Sequence, residues 1–338
     1  MPRSIIQMII AGIGRSIRRH LGLYTLTAVA AGLATSRICH GVSLKYLIPF
    51  GLFMMLYPAF LDVEGRKVTD VVARPRALLA AMMINFILSP VLMYGLTSLF
   101  SNGMDSGLLV GLLIFGMIPA GGMGPVYTKM VGGNVNLAVA ISTVSLLLSL
   151  ATIPLWSCLL IGRILTVPHM VICQYLLMII VAPLILAAFT RRWIVRNRGL
   201  TAFMEFKELF QGTSTIGLML LVFIIFVLNG RCVIKDPSSI VNLLFPTASF
   251  SLLLLIGSTC IGQASRLPYE DSVALAISST LKNTAISMAL ATSVFHGREA
   301  LAVAVAGPLV QFPVMLFYMR ILTRYSSWRR AIGYERFK

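Results

Sequence analysis

Ten apolar stretches, each near the roughly 20 residues that a helix needs to cross a hydrocarbon layer, alternate with short polar linkers along the chain. They lie at approximately 21–36, 44–61, 77–100, 107–131, 135–162, 167–190, 213–230, 239–263, 272–295 and 300–322. This pattern predicts an all-α polytopic membrane protein with ten transmembrane helices. Between the sixth and seventh stretches, Phe203, Met204, Phe206, Leu209 and Phe210 recur at helical spacing with Glu205, Lys207 and Glu208 opposite them. That segment reads as a surface helix leading into the seventh span. The run from Ile5 to Ile10 is too short to cross, and Arg15, Arg18 and Arg19 follow it in place of a small-residue cleavage site. An interfacial helix over residues 1–20 and no cleaved signal peptide are therefore expected.

Two of the ten stretches are interrupted. The fourth contains Pro119-Ala120-Gly121-Gly122-Met123-Gly124-Pro125, and the ninth contains Ser278-Ser279-Thr280-Leu281-Lys282-Asn283-Thr284. A weak internal repeat links them. Gly133-Asn134-Val135-Asn136-Leu137-Ala138-Val139-Ala140 opens the fifth stretch, and Gly297-Arg298-Glu299-Ala300-Leu301-Ala302-Val303-Ala304 opens the tenth. The same offset sets Pro119 opposite Asn283, so the breaks coincide. Five spans per half is an odd number, which requires the halves to be inserted in opposite senses. The expected organisation is an N-terminal segment 1–20, a first five-helix repeat 21–162, an inverted second repeat 163–323 and a basic tail 324–338.

Composition agrees, with 58% hydrophobic and 12% charged residues, far too apolar for a soluble domain of this length. The net charge of +17 changes the picture only through its distribution. Basic residues are spread between the apolar stretches, not gathered on one face, so nucleic acid is not an expected partner. With the N-terminus inside, 21 of the 28 Lys and Arg residues fall in inside segments, six fall outside, and the remaining one is Lys282. Both termini are thus expected to be cytoplasmic, in a plasma (inner) membrane. All eleven acidic residues fall in the linkers in this reading, leaving Lys282 as the charged side chain in the interior of a span. Cys39, Cys158, Cys173, Cys232 and Cys260 show no ligand spacing, so neither a disulfide framework nor a metal site is expected.

The chemistry of the breaks follows from their composition. Pro119 and Pro125 remove amide donors and Gly121, Gly122 and Gly124 lower helix propensity, so the fourth helix should open. Non-helical backbone at membrane depth must be buried in protein or line a watery cavity. The amides that start the second half-helix would then turn partial positive charge toward that cavity. A simple proline kink is the plainer alternative. A charge at the bilayer centre costs at least about 2.5–3.5 kcal/mol, which makes Lys282 a candidate for function. It can act as a fixed counter-charge for an anion, carry a coupling proton, or serve structurally by bonding the carbonyls that the breaks set free. Ser278, Ser279, Asn283 and Thr284, with Pro119, Ala120, Gly121, Gly122, Met123 and Gly124, complete the expected substrate site. Ser287 can add to the lining. Asn85 with Ser89 and Pro90, Ser142, Thr143, Gln263 and Gln311 read as interhelical hydrogen-bonding groups.

Around these two motifs the sequence resembles the bile acid:sodium symporter superfamily, which includes arsenite efflux permeases. Pro119-Ala120-Gly121-Gly122 followed by Gly133-Asn134 is similar to its Pro-Gly-Gly and Gly-Asp/Asn motifs, and Ser278-Ser279-Thr280-Leu281-Lys282-Asn283 resembles its Glu-Thr-Gly-x-Gln-Asn motif. The resemblance implies ten spans in two inverted repeats, with spans four and nine unwound and crossing. It also implies a core bundle moving against a panel of spans one, two, six and seven. Sodium-coupled relatives bind the ion with the glutamate and glutamine of the second motif and a Ser-Asn pair in span four. Here Ser278, Lys282 and Gly124-Pro125 stand in those places, which argues against the usual sodium sites and leaves the Lys282 charge to substitute for an ion. The cysteine and glutamate of arsenite permeases correspond here to Ala120 and Ile286.

The expected function is secondary transport of a small anionic organic solute by alternating access, without sodium coupling through the usual family sites. Metalloid efflux and a non-transporting membrane sensor are the alternatives. No catalytic set or cofactor motif lies in a span, and His20, His40, His169 and His296 sit at span ends, so an enzyme is not expected.

Overall fold

The computed structural model describes residues 21–38, 44–61, 75–164, 174–175, 178, 181–295 and 298–331. The expected interfacial helix 1–20, the start of the sixth stretch, all four histidines and the end of the basic tail lie outside them. Among the described residues the chain is nearly all helical. The elements are α1 (Leu21–Ile38), α2 (Ile48–Leu61), α3 (Pro75–Leu99), α4 (Ser106–Met117), α5 (Gly124–Met130), α6 (Val135–Leu160), α7 (Ala182–Lys235), α8 (Ser238–Ala264), α9 (Tyr269–Thr280), α10 (Thr284–Phe295) and α11 (Glu299–Arg324). Between their ends, helices close their backbone hydrogen bonds internally, which hydrocarbon surroundings demand. Five of these segments are long and apolar enough to cross a membrane: α3, α6, Thr213–Lys235 within α7, α8 and α11. Leu44–Pro58, α4 and α10 are shorter apolar helices. Large apolar side chains such as Leu79, Phe189, Phe245 and Phe317 face outward, as a lipid-embedded surface requires.

The long helix α7 corrects the expected layout. Arg191, Arg192, Arg196 and Arg198 read as a polar linker, yet they continue the helix of the sixth stretch up to a sharp turn at Gly199. At 54 residues a straight α7 would run about 80 Å, well beyond a hydrocarbon core of about 30 Å. Gly199, with φ 82° and ψ 173°, is where the chain turns, a conformation open to glycine alone. Beyond it, residues 201–212 are helical and run directly into Thr213–Lys235, with Phe203 fully buried. α7 packs chiefly on α1 and α2, joined to α2 by Tyr57 Oη donating to Thr190 Oγ1 at 3.0 Å and Ser214 Oγ donating to the Met55 carbonyl at 3.1 Å.

The other helices pack around α4, α5, α9 and α10. Within α3 the turn Ile84–Leu88 widens to a π-helix just before Pro90. Proline brings no N–H to the Phe86 carbonyl four residues back, and the Trp156 indole of α6 donates to it instead at 2.7 Å. A second π segment, Val305–Gln311 in α11, contains Pro308.

The acidic residues at the helix edges also differ from expectation. Glu270, Asp271 and Glu299 are not in linkers but in the first turns of α9 and α11, where the helix dipole favours negative charge. Asp105 caps α4 by accepting from Leu108 N–H at 3.0 Å and pairs with Arg298 at the start of α11. Arg298 also donates to Ser239 Oγ at 2.6 Å, and Ser239 donates to Asp236 at 2.7 Å. Asn134 caps α6 through Leu137 N–H at 3.1 Å and donates to Asp271 Oδ1 at 2.7 Å.

Candidate functional site

Both interrupted segments are broken helices, and the two breaks meet. α4 ends at Met117, Ile118 turns extended at ψ 147°, and α5 begins at Gly124 with Pro125 in its first turn. α9 ends at Thr280, Leu281 extends at ψ 103°, and Asn283 caps α10 by accepting from Ile286 N–H at 3.2 Å. Ala120 and Lys282 form an antiparallel bridge at the crossing. Gly121 N–H donates to the Leu281 carbonyl at 2.7 Å, and Asn283 N–H donates to the Pro119 carbonyl at 2.9 Å. A Cβ on Gly121 would lie 2.8 Å from the Lys282 carbonyl oxygen, so the backbones can approach this closely only without one.

Each broken end exposes backbone groups that must find partners away from water. Polar side chains from neighbouring helices supply them. Ser145 Oγ accepts from Ala120 N–H at 3.2 Å, Ser142 Oγ donates to the Gly121 carbonyl at 3.2 Å, and Ser89 Oγ donates to the Gly116 carbonyl at 2.5 Å. On the other strand, Gln311 Nε2 donates to the Thr280 carbonyl at 3.2 Å. Ser142, Ser89 and Gln311 are among the groups read from sequence as interhelical bonds. Ser145 is one that sequence reasoning missed.

Lys282 projects from the crossing toward α3. It is 3% exposed, and its Nζ donates to Asn85 Oδ1 at 2.9 Å. Asn85 is fully buried in the π turn of α3, and its Nδ2 donates to the Ala81 carbonyl at 2.9 Å and to Ser279 Oγ at 3.4 Å. Both donors being engaged, the amide oxygen is left for the lysine. Among the described residues no carboxylate pairs with Lys282, so its buried amine faces one neutral acceptor.

The remaining candidates divide by exposure. Gly122 is open to the surface, while Met123 and Asn283 are half-buried. Ser278, Ser279 and Thr284 are buried, and among the described residues Ser278 Oγ and Thr284 Oγ1 have no partner. Ser278 Oγ would lie 3.0 Å from a Cβ built on Gly124, so α5 and α9 touch there. Thr284 faces Gly307 of α11. Pro119, Ala120 and Gly121 thus join Leu281, Lys282 and Asn283 directly, and Gly124 joins Ser278.

Residues 49–236, more than half of the chain, match the sequence pattern of the Sodium Bile acid symporter family. The chain belongs to that family. It is therefore an integral, multi-pass membrane protein of a transporter family and not an enzyme. Among similar proteins of this family, the Uncharacterized transporter slr0944 of Synechocystis sp. is 21% identical, with 92% of this chain and 89% of the relative covered. Arsenical-resistance protein Acr3 of Alkaliphilus metalliredigens is 21% identical over 96% of this chain and 97% of its own. Sodium/bile acid cotransporter 7 of Mus musculus is 26% identical over 79% of each.

Proposed function

We propose that this protein is a secondary transporter that moves a small anionic organic solute by alternating access, with the crossing of α4–α5 and α9–α10 as its substrate site. Lys282 supplies the fixed counter-charge. The observation that carries the reading is a buried lysine amine at the crossing whose partner is the neutral Asn85 amide. Taking a cation out of water is costly, and an anion arriving beside it recovers electrostatic energy that an amide oxygen cannot. Gly122, Met123 and Asn283 form the approachable side, with Lys282 one residue deeper. Ser278, Ser279, Thr284, Pro119, Ala120, Gly121 and Gly124 shape the wall.

In this reading ten spans form two inverted repeats, 21–162 and 163–323, with both termini cytoplasmic. Reciprocal bonding supports it: the start of α6 is tied to the start of α9, and the start of α11 to the start of α4. Transport does not use the usual family sodium sites. At one, Gly124 and Ser278 pack against each other and supply a single hydroxyl in place of a carboxylate, and at the other the Lys282 amine already lies against Asn85. A coupling proton carried by Lys282 is the alternative role for the same side chain.

The near-complete alignment with an arsenical-resistance protein favours metalloid efflux as the second reading. Ala120 and Ile286 offer no thiol or carboxylate at the crossing, and the described cysteines, Cys158, Cys232 and Cys260, are exposed elsewhere. A thermal-shift screen of the purified protein against organic anions and arsenite, in sodium and in choline chloride, tests both. Stabilisation by an organic anion in either salt is expected. Stabilisation by arsenite alone, or only with sodium, contradicts the proposal.

A further inference from the structure

The first part of α7 has two faces of different character. Ala187 and Ile194, seven residues apart, are buried on one side, and Arg191 stacks on the Phe203 ring at 5.4 Å near that side. On the opposite side Ile185, Phe189, Arg192 and Arg196 follow one another at intervals of four, three and four residues, a single stripe along the helix. Ile185 is 62% and Phe189 68% exposed, and Arg192 and Arg196 are exposed. Trp193, 52% exposed, stands beside the arginines. The stripe passes from apolar to cationic within one turn after Phe189, about 5 Å, and an exposed tryptophan belongs at that depth, where hydrocarbon gives way to headgroups.

Among the described residues no carboxylate pairs with Arg192 or Arg196. Two guanidinium groups one turn apart suit a phosphate diester, because each fork can give two parallel N–H bonds to its oxygens. We infer that this stripe binds an anionic phospholipid, its acyl chain along Ile185 and Phe189 and its phosphate between Arg192 and Arg196. The turn at Gly199 then holds the helix end at the membrane surface. The inference does not depend on the transported solute.

The test uses the full-length protein in detergent, titrated with dioleoylphosphatidylglycerol, with dioleoylphosphatidylcholine, and with inorganic phosphate. Melting temperature and lipid retained in native mass spectrometry are read. The anionic lipid should stabilise, and the zwitterionic lipid and free phosphate should not. In R192Q/R196Q the apparent lipid affinity should fall about 30-fold, two charges each contributing about 1 kcal/mol. R192K/R196K should be intermediate, and R320Q/R324Q, with the same charge change elsewhere, should behave as wild type. Should the double variant fold poorly, R192Q and R196Q separately should each lose part of the effect. Equal stabilisation by both lipids, stabilisation by phosphate alone, or an equal loss in R320Q/R324Q would overturn the site.

Discussion

Replacing Asn85 with leucine should destabilise the protein far more than replacing Lys282 with methionine. In Asn85→Leu the ammonium keeps its 3% exposure and loses its acceptor. Leaving a buried donor without its acceptor costs about 1–3 kcal/mol, and more when the donor is charged. Lys282→Met leaves only the Asn85 amide oxygen without a donor, at about 1–3 kcal/mol, and it also removes a charge that was costly to bury, so the net change should be small. The double variant carries neither orphan and should lie close to Lys282→Met. The two substitutions are therefore strongly non-additive, with a coupling energy of about 2 kcal/mol or more, as expected for residues in contact. Melting temperature and monodisperse yield of the four detergent-solubilised proteins measure the cycle. If Asn85→Leu is no worse than Lys282→Met, or if the effects simply add, the lysine does not reside against Asn85 as a charge.

Single cysteines placed near Arg74 and Arg196 should be shielded from an impermeant thiol reagent in intact cells, and one near Asn102 should be labelled; labelling near Arg196 would invert the assigned orientation. Asp105→Ala removes both the cap of α4 and the partner of Arg298, and should cost at least about 0.5–2 kcal/mol of stability, read as a lowered melting temperature. The Ser238 and Ser239 hydroxyls hold the Asp236 carboxyl below its usual value of 3.8, with Arg298 adding to the effect. A depressed carboxyl contributes stability above its unfolded pKa and loses it as pH falls through the folded value. The Asp236–Ser239–Arg298 connection should thus persist in mild acid and weaken only below the ordinary carboxylate range. An Asp236→Asn variant that still loses stability over that range, just as the parent does, would refute this.

The first break could be read from sequence because proline and glycine act locally: Pro119, Gly121, Gly122, Gly124 and Pro125 forbid a regular helix whatever surrounds them. The second break has no proline, and Lys282 among Ser278, Ser279 and Thr280 signalled it because such a polar run is tolerated at membrane depth only where protein encloses it. Its partner was not legible. Asn85 lies 197 residues away, and one amide in an apolar stretch does not say which helix it faces. Ser145 escaped notice for the same reason: a serine among leucines gives no sign that an unwound amide waits opposite. The linker after the sixth stretch misled in another way. Arginine and tryptophan mark the membrane edge, but they are adequate helix formers, so polarity showed where the bilayer ends and not where the helix ends. Gly199 alone makes that turn.

The most direct test of the Lys282 counter-charge is ligand binding to well-folded Lys282→Met and Lys282→Arg proteins, using an organic anion that stabilises the parent in choline chloride. A charge-assisted contact worth about 1.5–3 kcal/mol corresponds to a loss of roughly ten- to 150-fold in affinity. Lys282→Met should show that loss, and Lys282→Arg, which keeps the charge in a different shape, should retain part of the binding. Unchanged affinity in Lys282→Met would contradict the account.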